Sequence, residues 1–235
     1  MSNNSDWRIP PSVLHGLLTL PKNCPIAVLL RHSVREELPP DGVGYSLPIT
    51  EAGTRLAQEL GGMIGTRLRS IHTSPLTRCV QTAEALQYGA GTNLRIELNN
   101  HLGDPGVFVI DGQRAIRNWE RLGHEGVMKH LVASDQALPG MAQPDPAAGF
   151  LVHHILSIAG NTPGLHLFIT HDLLVTATVA RLLHEPELEV GDWPWYLEGA
   201  FFWRHQESVH IKYRNLGVTK TYQGLINSSE KMGII

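Results

Sequence analysis

Short unbroken apolar runs, each followed by apolar positions at helical spacing, recur along this chain. Ile26 to Leu30 is apolar at every position, partly β-branched and preceded by Pro25, a pattern that predicts a strand buried on both faces, as in parallel sheets. His166 to Thr170 reads the same way, Ser70 to His72 gives a shorter strand, and the alternation in Leu94 to Leu98 places a strand towards a sheet edge. Between them, Ala52, Leu56, Leu60 and Met63 predict a helix opened by Thr50 as N-cap, with Gly61-Gly62 obscuring its end. Ser74 as cap and Pro75 in the first turn predict a second helix to about Tyr88, with Leu76, Val80, Ala83 and Leu86 or Gln87 inward. Two more helices follow, Gly149 to Ala159 with Phe150, Leu151, Ile155 and Ile158 or Ala159 inside, and Leu173 to Leu183. Phe201 to His205 and Val209 to Tyr213 flank Gln206-Glu207 as a hairpin. Strands alternating with helices make the chain α/β.

The stretch from about Leu102 to Gly149 has a different texture. A turn at His101 to Gly106, a short helix at Gln113 to Leu122 and a proline-rich loop at Pro139 to Pro146 predict an inserted lid. Residues 1–23, with Val13 to Leu20 as one or two amphipathic turns, and residues 216–235 are expected to be peripheral to a single domain spanning 1–235.

Composition narrows the partners. A net charge of -3 gives no global basic field, so neither nucleic acid nor an anionic membrane surface is expected as a partner; any anion site must be local. The 42% hydrophobic content is ample for a core, and no apolar stretch reaches the length of a membrane span. Met1 to Asp6 lacks the pattern of a secretion signal, and the two cysteines, Cys24 and Cys79, have no metal or disulfide-framework spacing, so a cytoplasmic location is expected.

The chemistry collects where strands stop. Arg31, His32 and Arg35 follow the first strand, Arg78 lies in the first turn of the helix after Ser70 to His72, and His171-Asp172 ends the run His166 to Thr170. The carboxyl edge of an open α/β sheet is where ligands bind. Planar guanidinium groups match phosphoryl oxygens bidentately, and a neutral imidazole among them is a nucleophile with its anionic target held nearby. The pattern therefore points to a phosphate pocket.

These residues resemble the histidine phosphatase superfamily, also described as phosphoglycerate mutase-like or histidine acid phosphatase. Leu29-Leu30-Arg31-His32-Ser33 is similar to its Arg-His-Gly signature, Thr73-Ser74-Pro75-Leu76-Thr77-Arg78-Cys79-Val80-Gln81-Thr82-Ala83 to its Ser-Pro-x-x-Arg-x-x-Gln-Thr-Ala segment, and Ile169-Thr170-His171-Asp172 to its late histidine motif. The resemblance implies a three-layer α/β/α sandwich with a mostly parallel central sheet. It implies a phosphomonoester hydrolase needing no metal or other cofactor, acting on a small-molecule phosphate ester. His32 would become a transient phosphohistidine, and Arg31, Arg35, Arg78 and His171 would bind the phosphoryl oxygens. A phosphomutase of the same fold and a catalytically silent phospho-ligand binder are the alternatives.

Two positions depart from the pattern. Ser33 stands where the family usually has Gly, which would crowd the backbone beside the nucleophile. Arg35 and His171-Asp172 are similar to the acid phosphatase branch, whereas the Ser-Pro segment and short chain resemble the mutase and small-phosphatase branch. The proton donor divides accordingly between Asp172, favoured because bound phosphate would raise its pKa, and Asp104 in the turn Gly103 to Gly106. Other histidines carry little. Neighbours His153-His154 on a helix face different ways, and His124-Glu125 with His130 lacks zinc-helix spacing. Trp193, Trp195 and Tyr196, with Phe201, Phe202 and Trp203 behind them, wall a substrate pocket or pack the sheet edge.

Overall fold

A computed structural model describes residues 7–37, 44–185 and 190–230, so the loop expected from Glu36 to Leu47 lies partly outside the described residues. The strands are β1 (Pro25–Arg31), β2 (Leu68–Thr73), β3 (Ile96–Leu98), β4 (Gly164–Thr170), β5 (Gly199–His205), β6 (Ser208–Tyr213) and β7 (Leu216–Thr221). They form one seven-stranded sheet in the order β3-β2-β4-β1-β5-β6-β7. The strands β3, β2, β4 and β1 run parallel, and β5, β6 and β7 extend the sheet antiparallel from β1.

Alternation along β1 shows why this strand is apolar throughout. Ile26, Val28 and Leu30 enter the core cluster on one face, and Ala27 and Leu29 enter the cluster on the other. The first face is covered by α1 (Pro11–Thr19), α2 (Glu51–Ile64) and α3 (Thr77–Gly89). The second is covered by α4 (Gly112–Ala133), α5 (Pro144–Ala159), α6 (Asp172–Leu183) and α7 (Tyr222–Glu230). The result is the α/β/α sandwich. Among the described residues, no helix is long and apolar enough to cross a membrane.

Helix ends follow local chemistry, with instructive differences. Thr50 caps α2 as expected, its hydroxyl accepting from the Gly53 amide at 3.0 Å. The helix continues through Gly61-Gly62 because Gly61 meets α3: a Cβ there would stand 2.2 Å from the Leu86 carbonyl oxygen. Met63, expected on the inner face, is half exposed, and Gly53, Leu56, Ala57, Leu60, Gly61 and Ile64 are buried instead. Val80, expected inside α3, is half-buried, while Cys79 and Thr82 are fully buried.

The stretch expected to be a lid is more helical than its composition implied. The helix α4 runs to Ala133, eleven residues past Leu122, with a break at Gly123 (φ 68°) that only glycine adopts readily. Pro144 and Pro146, read as loop, form the first turn of α5, where missing amide donors cost nothing. Both ends of the chain do more than sit at the periphery. Ile9, Val13 and Leu20 join the core, β7 pairs with β6 along its whole length, and Leu225 of α7 is buried beside α5.

Candidate active site

Three adjacent strands build the site. Because β2 and β1 flank β4, their carboxyl ends bring Ser74, His171 and His32 side by side; the His32 amide donates to the Thr170 carbonyl at 2.9 Å and the Ser74 amide to the Ile169 carbonyl at 2.9 Å. Arg78 reaches in from the first turn of α3.

His32 is buried and its tautomer is fixed. Nδ1 lies 2.8 Å from the Ser33 carbonyl, which can only accept, so Nδ1 carries the proton. Nε2 accepts from Arg78 Nε at 3.2 Å, so its lone pair points into the pocket. Burial, reinforced by the charge of Arg31, holds the imidazole well below its usual pKa and therefore neutral at pH 7. His171 is neutral too, pushed down to about 3 by burial and by Arg78. It has the opposite tautomer: Arg78 Nη2 donates to its Nδ1 at 3.2 Å, and its Nε2 donates to Ser74 Oγ at 3.0 Å. The two rings stand edge to face, 5.6 Å between centroids. Arg78 thus ties both imidazoles together, with Nη1 on the Gly44 carbonyl at 2.8 Å.

Ser74 is not the cap of α3. Leu76 takes that position, and the Ser74 hydroxyl serves His171 instead. Ser33 does not crowd His32: its hydroxyl donates to the Gly53 carbonyl at 2.7 Å and its amide to Thr82 Oγ1 at 3.0 Å, binding the loop to α2 and α3. Buried Cys79 lies 3.6 Å from His171 Nε2, but burial pushes its thiol up to about 12, which keeps it inert.

The other arginines sit around this pair of rings. Arg31 Nη2 is ion-paired with Asp172 Oδ2 at 3.0 Å, its Nη1 donates to the Pro194 carbonyl at 2.6 Å, and its guanidinium covers the Tyr196 ring at 4.2 Å. Arg35 donates through Nη1 to the Glu36 carbonyl at 2.7 Å, and its charge acts on both Arg78 and His171. Among the described residues, the buried Nε atoms of Arg31 and Arg35 have no hydrogen-bond partner, as befits donors that an anion would satisfy.

The two aspartates differ. Burial alone would raise the pKa of Asp172, but the hydrogen bond from His124 and the charge of Arg31 overcome it and hold the carboxyl well below the usual range. His124 reaches Asp172 Oδ1 at 3.5 Å from just beyond the break in α4, so the segment expected to be a lid contacts the site. Asp104 is exposed on the turn that presses on His171; a Cβ on the preceding Gly103 would come within 2.7 Å of His171 Nε2. Spacing alone concealed His124 and Gly103, since neither belongs to a strand-end motif. Trp193 meets His124 edge-on at 5.6 Å and Tyr196 lies 5.8 Å from His32, so two of the aromatic residues wall the pocket. Among the described residues, no group of three or more His, Cys, Asp or Glu has metal-holding geometry, and His153 and His154 pack against Tyr222 and against His101 and Phe150.

Comparisons with known proteins agree with this geometry. No curated protein matches the chain in sequence. Among solved structures, a mycobacterial glucosyl-3-phosphoglycerate phosphatase superposes with a TM-score of 0.52 at 18% identity, covering 77% of this chain and 91% of its own. A phosphoserine phosphatase from Entamoeba histolytica, in complex with 3-phosphoglyceric acid, gives 0.51 at 16% identity over 75% and 89%. A structure described as mycobacterial hydrolase 2 gives 0.56 at 17% identity over 89% and 98%. At such identities these likenesses speak for the fold. The family model of the histidine phosphatase superfamily (branch 1) matches residues 28–198, from the first strand to the residue before β5. The chain belongs to that superfamily and is an enzyme of the phosphatase class.

Proposed function

We propose that the protein hydrolyses small-molecule phosphomonoesters in two steps, with His32 as nucleophile and guanidinium groups, rather than a metal, holding the phosphoryl oxygens. The observation that carries this reading is the state of His32. It is a buried neutral imidazole whose Nδ1 proton is held by the Ser33 carbonyl, with the Nε2 lone pair facing Arg78 and the charge of Arg31 close by. In the first step Nε2 attacks phosphorus and the ester P–O bond breaks; in the second, water attacks the phosphohistidine, releasing phosphate and restoring the imidazole. Arg78 leaves Nε2 to follow the phosphoryl oxygens, where fixed cations stabilise charge in the transition state.

On this reading the leaving oxygen takes its proton from Asp104 rather than Asp172. Asp172 is held ionised by His124 and Arg31, a state suited to orienting Arg31 and unsuited to donating. Asp104 projects from a turn in contact with His171 and is free of that clamp. The branch 1 match supports the same choice, because it is the mutase-like branch whose donor position Asp104 resembles. The whole chain acts as one domain with residues 102–149 as its lid, and a cytoplasmic setting is supported by two cysteines that remain free thiols.

The test is release of inorganic phosphate from a chromogenic aryl phosphate in the presence of a chelator. Turnover by the wild type and its loss in His32→Ala support the reading. Turnover abolished by chelator, or persisting in His32→Ala, contradicts it.

A further inference from the structure

We propose that the leaving-group side of this pocket takes a planar ring, so that the preferred substrates are phosphomonoesters of aryl or nucleoside-type alcohols. The inference rests on the phosphohydrolase reading above and adds the class of alcohol released.

Three rings stand together, one of them beside His32. Tyr196, 5.8 Å from His32, carries the Arg31 guanidinium on its ring. Trp7 meets Tyr196 edge-on at 5.5 Å and Trp195 at 5.3 Å with the planes tilted by 32°, and Trp195 lies 6.2 Å from Tyr196. Trp195 is 50% exposed, among the described residues the largest ring to stand so open. It also lines a groove with Arg8, Pro10, Pro11 and Glu198, whose prolines add apolar surface beside its ring.

These rings are held, not merely near. Arg31 Nη1 grips the Pro194 carbonyl and the Arg31 amide donates to the Glu198 carbonyl at 2.9 Å. The buried Glu198 carboxylate accepts from the Trp195 amide at 2.9 Å, from Ser12 Oγ at 2.6 Å and from Arg214 at 2.7 Å. The same arginine that faces the phosphate therefore fixes the segment carrying Trp195 and Tyr196, so their distance from His32 is preset. A preset surface loses little freedom on binding.

Charge decides what rests there. With Arg31 already lying on the Tyr196 ring, the face open to the leaving group is that of Trp195, whose centre carries negative charge. It favours a flat, uncharged ring, held by stacking, over the carboxylate of a phosphorylated hydroxy acid or amino acid. Trp193, edge-on to His124, adds an aromatic wall on the lid side of the same mouth.

The experiment compares kcat/KM for 2-naphthyl phosphate and phosphoserine in the wild type, Trp195→Ala and Trp195→Phe. The alanine variant is expected to lower the naphthyl-to-phosphoserine ratio about tenfold, chiefly through KM, and the phenylalanine variant to restore most of it. An unchanged ratio in Trp195→Ala overturns the subsite while leaving the hydrolase reading intact. If the wild type turns over neither ester, the hydrolase reading fails and the subsite is judged by equilibrium binding. Naphthyl phosphate bound about tenfold more tightly than inorganic phosphate, with the advantage lost in Trp195→Ala, supports it; equal affinities overturn it.

Discussion

Arg31 and Asp172 are ion-paired at 3.0 Å with side chains only 12% and 17% exposed, so the candidate site contains a fixed carboxylate bound to one of its own arginines. Such a pair costs desolvation and is kept only where geometry is good. Here the carboxylate is further held by His124 and by the Leu173 amide at 2.8 Å, and Arg31 by the Pro194 carbonyl. Both groups are thereby oriented. On the proposed reading Arg31 keeps its unpartnered Nε for the phosphate, and Asp172 is left without the proton a general acid needs.

The first prediction separates the two aspartates by leaving group. An alkyl phosphate depends on protonation of its leaving oxygen, whereas an aryl phosphate with a stable phenolate depends on it little. Asp104→Asn is expected to slow the alkyl ester by about 10²-fold or more and the aryl ester far less. Asp172→Asn is expected to slow both alike by loosening Arg31. Steady-state rates with paired esters decide it, and selective loss in Asp172→Asn would return the proton to that residue.

Packing of α2 on α3 makes a second prediction. At Gly61 a Cβ would stand 2.2 Å from the Leu86 carbonyl oxygen, whereas at Gly62 the nearest atom is 3.6 Å away. Gly61→Ala forces two backbones apart and should cost about 1–3 kcal/mol. Gly62→Ala, on the exposed side, should stabilise by about 0.5–1 kcal/mol through the unfolded chain. Urea denaturation checks both signs, and equal effects at the two positions would mean the helices do not pack here.

Acid should weaken the fold through buried neutral histidines. Burial, with the nearby His101, His72 and His153, pushes His154 down to about 4, and its Nε2 accepts from Asn99 Nδ2 at 2.9 Å, a contact that protonation destroys. The unfolded value is near 6.5, so the unfolded chain takes up a proton that the folded chain refuses. Stability is therefore full above pH ~6.5 and is lost as pH falls towards ~4. His154→Gln keeps an acceptor for Asn99 without titrating, and its Tm should fall less than that of the wild type between pH 7.5 and 4.5. An equal fall in both would assign the acid sensitivity to other groups.

How much of this was legible in the chain depends on where the signal lay. Buried strands announce themselves as apolar runs, so Arg31, His32 and His171 could be placed at strand ends, and Thr50 as a cap, from residue types alone. The strand β7 could not. Its six positions are exposed or half-buried, and pairing with β6 holds it rather than an apolar face. The second half of α4 was hidden by Gly123, although Val127, Met128, Leu131 and Val132 carry helical spacing beyond it. The functions of Ser74, Thr82, Gly103 and His124 are relations between distant segments, such as Ser74 with His171. Local rules assign a serine before proline to a helix cap because that is its commonest partner nearby.

The most direct measurement is of the phosphoenzyme itself. Wild type mixed with excess aryl phosphate and quenched in denaturant at alkaline pH, where phosphohistidine survives, should carry one phosphoryl group per chain. Peptide mass spectrometry should locate that group on His32, and brief acid treatment should remove it. His32→Ala, still folded by circular dichroism, should carry none. A phosphoryl group on another residue, or steady turnover with no label on His32, would contradict the nucleophile on which the whole account depends.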